Sequence, residues 1–407
     1  MGLVAIALSM VATAVPLYAV SLGVDTVTVG LLVALPNVFP VLLALAAGRL
    51  VDRMGPLRWL LIGSLGMVSA PLLVVAAGGL AALLVAQLLI GLFHVFVTLA
   101  SQDFVAVLGQ RGSFERDFAW YSTALAAGRL VGPLLAGVVI DLAGFREAFA
   151  VVAAGLVGTT LLVVLLRRSR PLARPSGEVP GAPAPAPPTT ASAPAVPTPG
   201  NAGGVPVPVG PVALLANVGV QLAVFSSAGV FVAIAVRQAF LPVYLQELAY
   251  SATSIGLMLS LGGLAAVLVR PLMPLISRAV GGPARALVLA MAAVALGVGV
   301  LGLVDTYAAL VALTVLAGIG TGVGLPLSIV TVASHVERGR RGLALGLRLS
   351  LNRAAQLTAP VAIGAVIAAA GFAVGFALAG TMLGLLALMA ATRVRSFEQR
   401  ARELDAT

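Results

Sequence analysis

From residue 2 to about residue 392 the chain is a succession of apolar runs broken by short polar stretches. Each run is about 20 residues long, enough to cross a hydrocarbon core roughly 30 Å thick as a helix. The runs fall near 2–22, 28–48, 58–77, 80–105, 119–141 and 147–166, then near 224–246, 254–273, 285–303, 308–333, 343–368 and 373–392. Hydrophobic residues make up 60% of the chain and charged residues 9%, against about 25% charged in an ordinary soluble domain. The sequence therefore predicts an all-α polytopic membrane protein with twelve transmembrane helices. The run that opens at Met1 lacks a basic leader and is followed by similar runs, so it reads as a first span, not a signal peptide.

The charges are as informative as the apolar runs. Breaks after the even-numbered spans carry Arg49, Arg53 and Arg58; Arg111 and Arg116; Arg167, Arg168 and Arg170; Arg278 and Arg285; Arg338, Arg340 and Arg341; and Arg393 and Arg395. The alternate breaks carry almost only Asp25, Glu247, Asp305 and the Arg146/Glu147 pair. Basic residues stay on the cytoplasmic side of a membrane, so both termini are expected there. Placed this way, the net charge of +10 serves topology, and no nucleic-acid partner is expected.

Absent residue types exclude chemistry. All 24 basic residues are arginine, so there is no P-loop or Schiff-base lysine. With no cysteine and only His94 and His335 as histidines, neither a thiol nucleophile nor a metal site is expected, and no cofactor or enzymatic activity.

The two halves match each other. "PLYAVSLGVDTVTVGLL" at 16–32 aligns with 242–258 at an offset of 226, pairing Pro16/Pro242, Tyr18/Tyr244 and Gly30/Gly256. "GRLVGPLLAGVVIDLAGFREAF" at 128–149 aligns with 355–376 at an offset of 227, pairing Pro133/Pro360, Gly137/Gly364, Phe145/Phe372 and Phe149/Phe376. Two matches at nearly one offset indicate a duplicated six-helix unit, with a site between pseudo-symmetric halves that rock around it. The expected division is a six-helix bundle at 1–166, a linker at 167–211, a second bundle at 212–392 and a cytoplasmic tail at 393–407. The linker holds 13 of the 25 prolines and reads as a disordered or polyproline-like tether.

"GRLVDRMGPLRWL" at 48–60, between spans 2 and 3, resembles the loop motif Gly-x-Leu-x-Asp-Arg-x-Gly-Arg-Lys of the major facilitator superfamily. Gly48, Leu50, Asp52, Arg53 and Gly55 match; Pro56-Leu57 replaces the basic pair, with Arg58 one place late. A worn copy, "PLISRAVGGPAR" at 274–285, keeps Gly281 and has Arg278 in place of the Asp. With twelve spans and the repeat, the resemblance covers essentially the whole chain. It implies that Gly48, Asp52, Arg53, Gly55 and Arg58 form a gating loop. Asp52 is expected to face the amino end of helix 11 around 342–345, where a helix dipole leaves about half a positive charge.

In span 5, "GRLVGPLLAG" resembles the Gly-x-x-x-Gly-Pro-x-x-Gly-Gly stretch of the superfamily's twelve-helix drug–proton antiporters, matching at Gly128, Gly132, Pro133 and Gly137, with Ala136 replacing one Gly. Glycines four apart give a smooth face for close helix contact. The helix-4 arginine usual in such exporters is missing: Gln87 stands in its place, ahead of Ile90-Gly91.

Ionisable groups at membrane depth are costly and are functional candidates by default. They are His94, Asp103, Arg129, Arg237 and Arg353, with His94 and Arg237 the best placed to line a cavity. The span interiors hold no mid-depth carboxylate, which suits an anionic or neutral organic substrate. Proton coupling would run through His94 or Asp103, and the imidazole has the better intrinsic pKa. "GIGTGVG" at 318–324 lies inside an apolar span and reads as close helix packing, not a nucleotide loop.

These readings predict a secondary transporter working by alternating access, exporting a small organic compound by proton antiport. Uptake or symport of a small anionic or neutral metabolite is the alternative, and a non-transporting receptor on the same scaffold a lesser one. The expected partners are a small-molecule substrate, a proton or other coupling ion and the lipid bilayer. The expected location is the bacterial cytoplasmic membrane, as a monomer.

Overall fold

The computed structural model describes residues 1–109, 114–169, 218–335 and 341–405, and among these every long element is helical. The first half comprises α1 (Gly2–Ser21), α2, α3 (Pro56–Ala77), α4 (Gly79–Gly109), α5 (Phe114–Ala143) and α6 (Phe145–Ser169). Helix α2 has two segments, Thr26–Ala34 and Val38–Met54, joined by a 3-10 turn at Leu35–Asn37. The second half comprises α7 (Val218–Glu247), α8, α9 (Pro283–Gly299), α10 (Tyr307–His335) and the stretch Arg341–Asp405. Helix α8 is likewise segmented, Ala252–Leu268 and Met273–Ala279 around a turn at Arg270–Leu272. The last stretch has 65 residues, about 95 Å at 1.5 Å per residue and far more than one crossing. It breaks at Gly371 (φ 84°, ψ 169°) into α11, 341–370, and α12, 372–405. That completes the twelve helices expected from the sequence.

The same local chemistry turns the chain at matching points of the two halves. Gly55 at φ 82° ends α2 and Pro56 starts α3; Gly282 at φ 133° precedes Pro283, which starts α9. Glycine tolerates positive φ, and a proline in the first helical turn loses no hydrogen bond.

Packing repeats too. Tyr18 lies 5.2 Å from Phe145 and 5.9 Å from Phe149, ring centre to ring centre, at interplanar angles of 34° and 61°. Tyr244 lies 5.4 Å from Phe372 and 5.9 Å from Phe376, at 38° and 69°. Each tyrosine hydroxyl also ties down a later turn, α3–α4 or α9–α10, accepting from Gly79 N at 3.1 Å in one half and donating to Val304 O at 2.9 Å in the other. The residues whose identity betrayed the duplication thus build one aromatic cluster twice.

Three boundaries differ from expectation. Gly48, Asp52 and Arg53 were expected in a loop, but α2 continues through Met54 and Gly55 alone makes the turn. The helix runs through Gly48 unbroken, and a β-carbon there would meet nothing within 4 Å. Arg167 and Arg168 belong to the last turn of α6, not to the linker, and 393–405 of the expected tail continues α12. The proline-rich remainder of the linker lies outside the described residues.

Candidate functional site

The halves meet along two seams near the face opposite the arginine-rich breaks. At the first, α2 packs on α11. A β-carbon on Gly30 would collide with the carbonyl of Pro360, and one on Gly364 with the carbonyl of Thr26. At the second, α8 packs on α5. There Gly256 sits against the carbonyl of Pro133, and Gly137 against that of Ala252. Gly128 and Gly132 face the other way, onto the backbone of α1 at Gly2 and Ile6. The small-residue stretch of α5 therefore serves two contacts, one inside its half and one across to α8.

Polar groups stitch both seams. Thr26 Oγ1 donates to Gly364 O at 2.8 Å, and Ser260 Oγ donates to Leu130 O at 2.6 Å. Asp141 at the end of α5 accepts from Ala252 N at 3.0 Å and Thr253 N at 2.7 Å. Ser251 takes Ser254 N at 3.2 Å, and its carbonyl takes Ile255 N. The orphaned N–H groups of the first turn of α8, those of Ala252, Thr253 and Ser254, are thus satisfied, two of them by the opposite half. The α2 amino end is capped from its own half: Asp25 accepts Thr28 N at 2.9 Å, and hydrogen bonding from Thr28 keeps the Asp25 carboxyl below the usual range. Asp141 did not stand out in the sequence. Its signal was the repeat itself, which places Ala368 at the equivalent position.

The ionisable candidates lie within the spans. His94 lies on α4, Arg129 on α5 and Arg353 on α11. Arg353 donates to Asn37 Oδ1 at 3.3 Å, reaching from α11 to the turn that breaks α2. Next to it, buried Asn352 accepts from Ser227 Oγ at 2.9 Å, fixing that face of α11 against α7. Arg129 is exposed although it lies within a span.

Arg237 stands elsewhere. It donates to Thr314 O at 3.2 Å and lies beside Gly262, so it links α7 to α8 and α10 within the second half. Arg348 donates to Ser328 Oγ at 2.7 Å, at the position where the first half pairs Tyr121 with Ser101 at 3.2 Å. Asp103 is half-buried on α4 and has an interaction of its own. Gln87, in the place of the exporters' arginine, is buried and donates to Leu32 O at 2.8 Å. One turn on, Gly91 packs against the backbone of Pro36. That part of α4 is thus occupied in holding the broken α2.

Around the expected gating loop, Trp59 Nε1 donates to Leu50 O at 2.9 Å and its ring stacks on Phe96 at 4.3 Å. This clamps the α2–α3 turn to α4. Arg53 and Arg58 are exposed. The side chain of Asp52 and those of 341–343, where its helix-11 contact was expected, lie outside the described residues. No group of three or more potential metal ligands occurs among the described residues.

Comparison with known proteins fits this architecture. The sequence profile of the Major Facilitator Superfamily matches residues 1–295 and again 223–404. The chain belongs to that superfamily: it is a membrane transporter, not an enzyme. Multidrug resistance protein MdtG of Citrobacter koseri is 31% identical over 169 residues, covering 40% of this chain and 41% of the relative. MdtG of Proteus mirabilis is 29% identical over 157 residues, covering 36% and 38%. The match thus spans about two fifths of the length of these relatives. Among solved structures, the nucleoside transporter NupG superposes with a TM-score of 0.73 at 13% identity, covering 96% of both chains. A bacterial homologue of the iron transporter ferroportin, in an inward-facing state, gives 0.67 at 17% identity, covering 97% of this chain and 96% of that one.

Proposed function

We propose that this transporter exports a small organic compound in exchange for protons. It does so from the bacterial cytoplasmic membrane, with both termini and the arginine-rich breaks in the cytoplasm. The observation that carries the export reading is the Gly128–Gly137 stretch of α5, which packs on α1 and forms the seam with α8. The relatives named for multidrug resistance support the same reading. In this reading the seams are the outer closure and the cleft beneath them opens to the cytoplasm. The bundles at 1–166 and 212–392 then rock about it, joined by the 167–211 tether. Gly48, Asp52, Arg53, Gly55 and Arg58 form the cytoplasmic gate, and the chain works as a monomer. His94, Asp103, Arg129 and Arg353 are the substrate and proton candidates, with Arg237 supporting the second half. Uptake of a small anionic or neutral metabolite is the second reading, favoured by the arginines within the spans and by Gln87 in the place of the exporters' arginine.

The test uses proteoliposomes holding an internal pH dye. Anionic, neutral and cationic compounds are screened across an imposed proton gradient, beside Asp52→Asn and His94→Ala. Export predicts compound-triggered proton movement that His94→Ala abolishes and Asp52→Asn slows. Compound movement without protons, unchanged in both variants, would overturn the coupling and the gate.

A further inference from the structure

We propose that Asp141 is a proton-operated latch: ionised it fastens the α5–α8 seam, and protonated it lets the seam part, so that acid at that face favours opening. This rests on the reading of the seams as the outer closure, and it adds a residue through which a proton acts on the transport cycle. Asp141 sits in the last turn of α5 and is exposed, so protons from the water reach it. Each carboxylate oxygen accepts one N–H, Oδ1 that of Ala252 at 3.0 Å and Oδ2 that of Thr253 at 2.7 Å. Both donors belong to the opposite half and stand at the positive end of α8, where the helix itself offers them no acceptor. Hydrogen bonds to an ionised acceptor are roughly twice as strong as neutral ones. A proton on Asp141 competes with the two N–H groups for the same two oxygens, and it removes the charge that faces the helix end. Parting the seam takes those N–H groups away, so protonation costs the closed arrangement more than the open one.

The surroundings single out this carboxyl group. The cleft around it, about 210 Å³, is lined from α1, α5, α6, α7 and α8, and Tyr250 is its only other titratable residue. The Tyr250 hydroxyl donates to Asp305 O at 2.8 Å, and Tyr307, 5.4 Å away ring to ring, donates to Ser254 O at 3.0 Å. Neither phenol changes charge in the carboxylate range. The charged groups of the neighbouring turns are Arg146, Glu147, Glu247 and Asp305. Arg146 donates to Val75 O at 3.2 Å, and Glu147 lies beside Gly144. Among the described residues no ion pair joins Asp141 to a cation, so nothing but the α8 amino end favours its charge. The other seam has Ala368 at the matching position and is fastened by the Thr26 hydroxyl, which acid does not titrate. The response to protons is therefore lodged in one seam. In an exporter driven by protons from outside, a latch that acid loosens opens the molecule to the face where compound leaves and protons arrive.

The test is the distance between spin labels at Leu142 and Ala249 in the full chain, in nanodiscs titrated from about pH 8 to about pH 4, across the ordinary carboxylate range. The open fraction should rise as the pH falls, its ratio to the closed form changing by up to about tenfold per pH unit while one proton is taken up. Asp141→Asn, which keeps the shape and cannot titrate, should hold a raised open fraction that no longer responds to acid in that range. Glu147→Gln, a nearby carboxylate outside the seam, should leave the response as it is in the parent. Monodisperse elution in gel filtration certifies each variant as folded. Parent distances that do not change with pH, a response undiminished in folded Asp141→Asn, or a response lost in Glu147→Gln would each overturn the latch. The outer-closure reading fails separately. A single Leu142→Cys substitution, probed in intact cells with a membrane-impermeant maleimide, should react from outside. Reaction only after the cells are broken would overturn that reading and leave the latch standing on the opposite face.

Discussion

The seams α2–α11 and α5–α8 descend from one duplicated contact, and comparing them separates what duplication supplies from what was added later. Both place a glycine against the carbonyl of a helix proline, Gly30 on Pro360 and Gly256 on Pro133, and a second glycine against the first residue of the facing helix. The backbone geometry is therefore common. The polar fastening is not. Across α2–α11 a neutral hydroxyl of Thr26 reaches Gly364 O, whereas across α5–α8 the Asp141 carboxylate takes two N–H groups at the positive end of α8. Parting the second seam uncaps a helix; parting the first leaves α2 capped by Asp25.

The largest effect should come from the shared part. Gly256→Val and Gly30→Val each push a side chain into the opposite half's backbone, an overpacking cost of about 1–3 kcal/mol. The closed arrangement should lose roughly ten- to a hundredfold in population, about equally for the two variants. Spin labels at Leu142 and Ala249 report one seam, and labels at Leu22 and Ala369 the other. Because the chain has no cysteine, these sites can be labelled without background. A strong response from one glycine and none from its counterpart would break the equivalence.

The polar difference should show next. Asp141→Ala removes a cap worth about 1 kcal/mol, so the Leu142–Ala249 distance should shift to the open population by about fivefold. Thr26→Val removes a single neutral hydrogen bond and should move its own seam by about half a kcal/mol or slightly more. Ala368→Asp transplants the carboxylate to the first seam and should tighten it, which sharpens the comparison. The smallest contrast lies in the twin aromatic clusters. Tyr18→Phe and Tyr244→Phe each lose one hydroxyl tie, about 1 kcal/mol, and should lower the thermal unfolding midpoint in detergent by similar amounts.

Much of this was legible in the sequence because a membrane simplifies the code. Helix number followed from run length, and the repeat followed from matched residues such as Tyr18/Tyr244 and Phe149/Phe376, which proved to share one packing role. The partners of the matched glycines were not legible, because Gly30 meets Pro360 only after most of the chain has folded between them. Asp141 was missed for the same reason: its ligands are backbone N–H groups of another helix, which no side-chain motif encodes. The tie of Arg237 to Thr314 O was not legible, because a backbone carbonyl partner is invisible in a sequence. The 48–55 stretch read as a loop because its charges and glycines break the apolar run, yet only Gly55 leaves helical geometry. Arg129 and Arg353 were found individually by depth; the tie of Arg353 to Asn37 across the halves was a property of the fold.

The measurement that bears most directly on the account is the Leu142–Ala249 spin-label distance in nanodiscs, with and without a transported compound and across a range of pH. Alternating access through these seams predicts two populations, one matching the closed seam seen here and one longer, whose ratio changes with compound or pH and shifts to the longer distance in Gly256→Val. A single short distance under every condition, in protein that still transports, would contradict it.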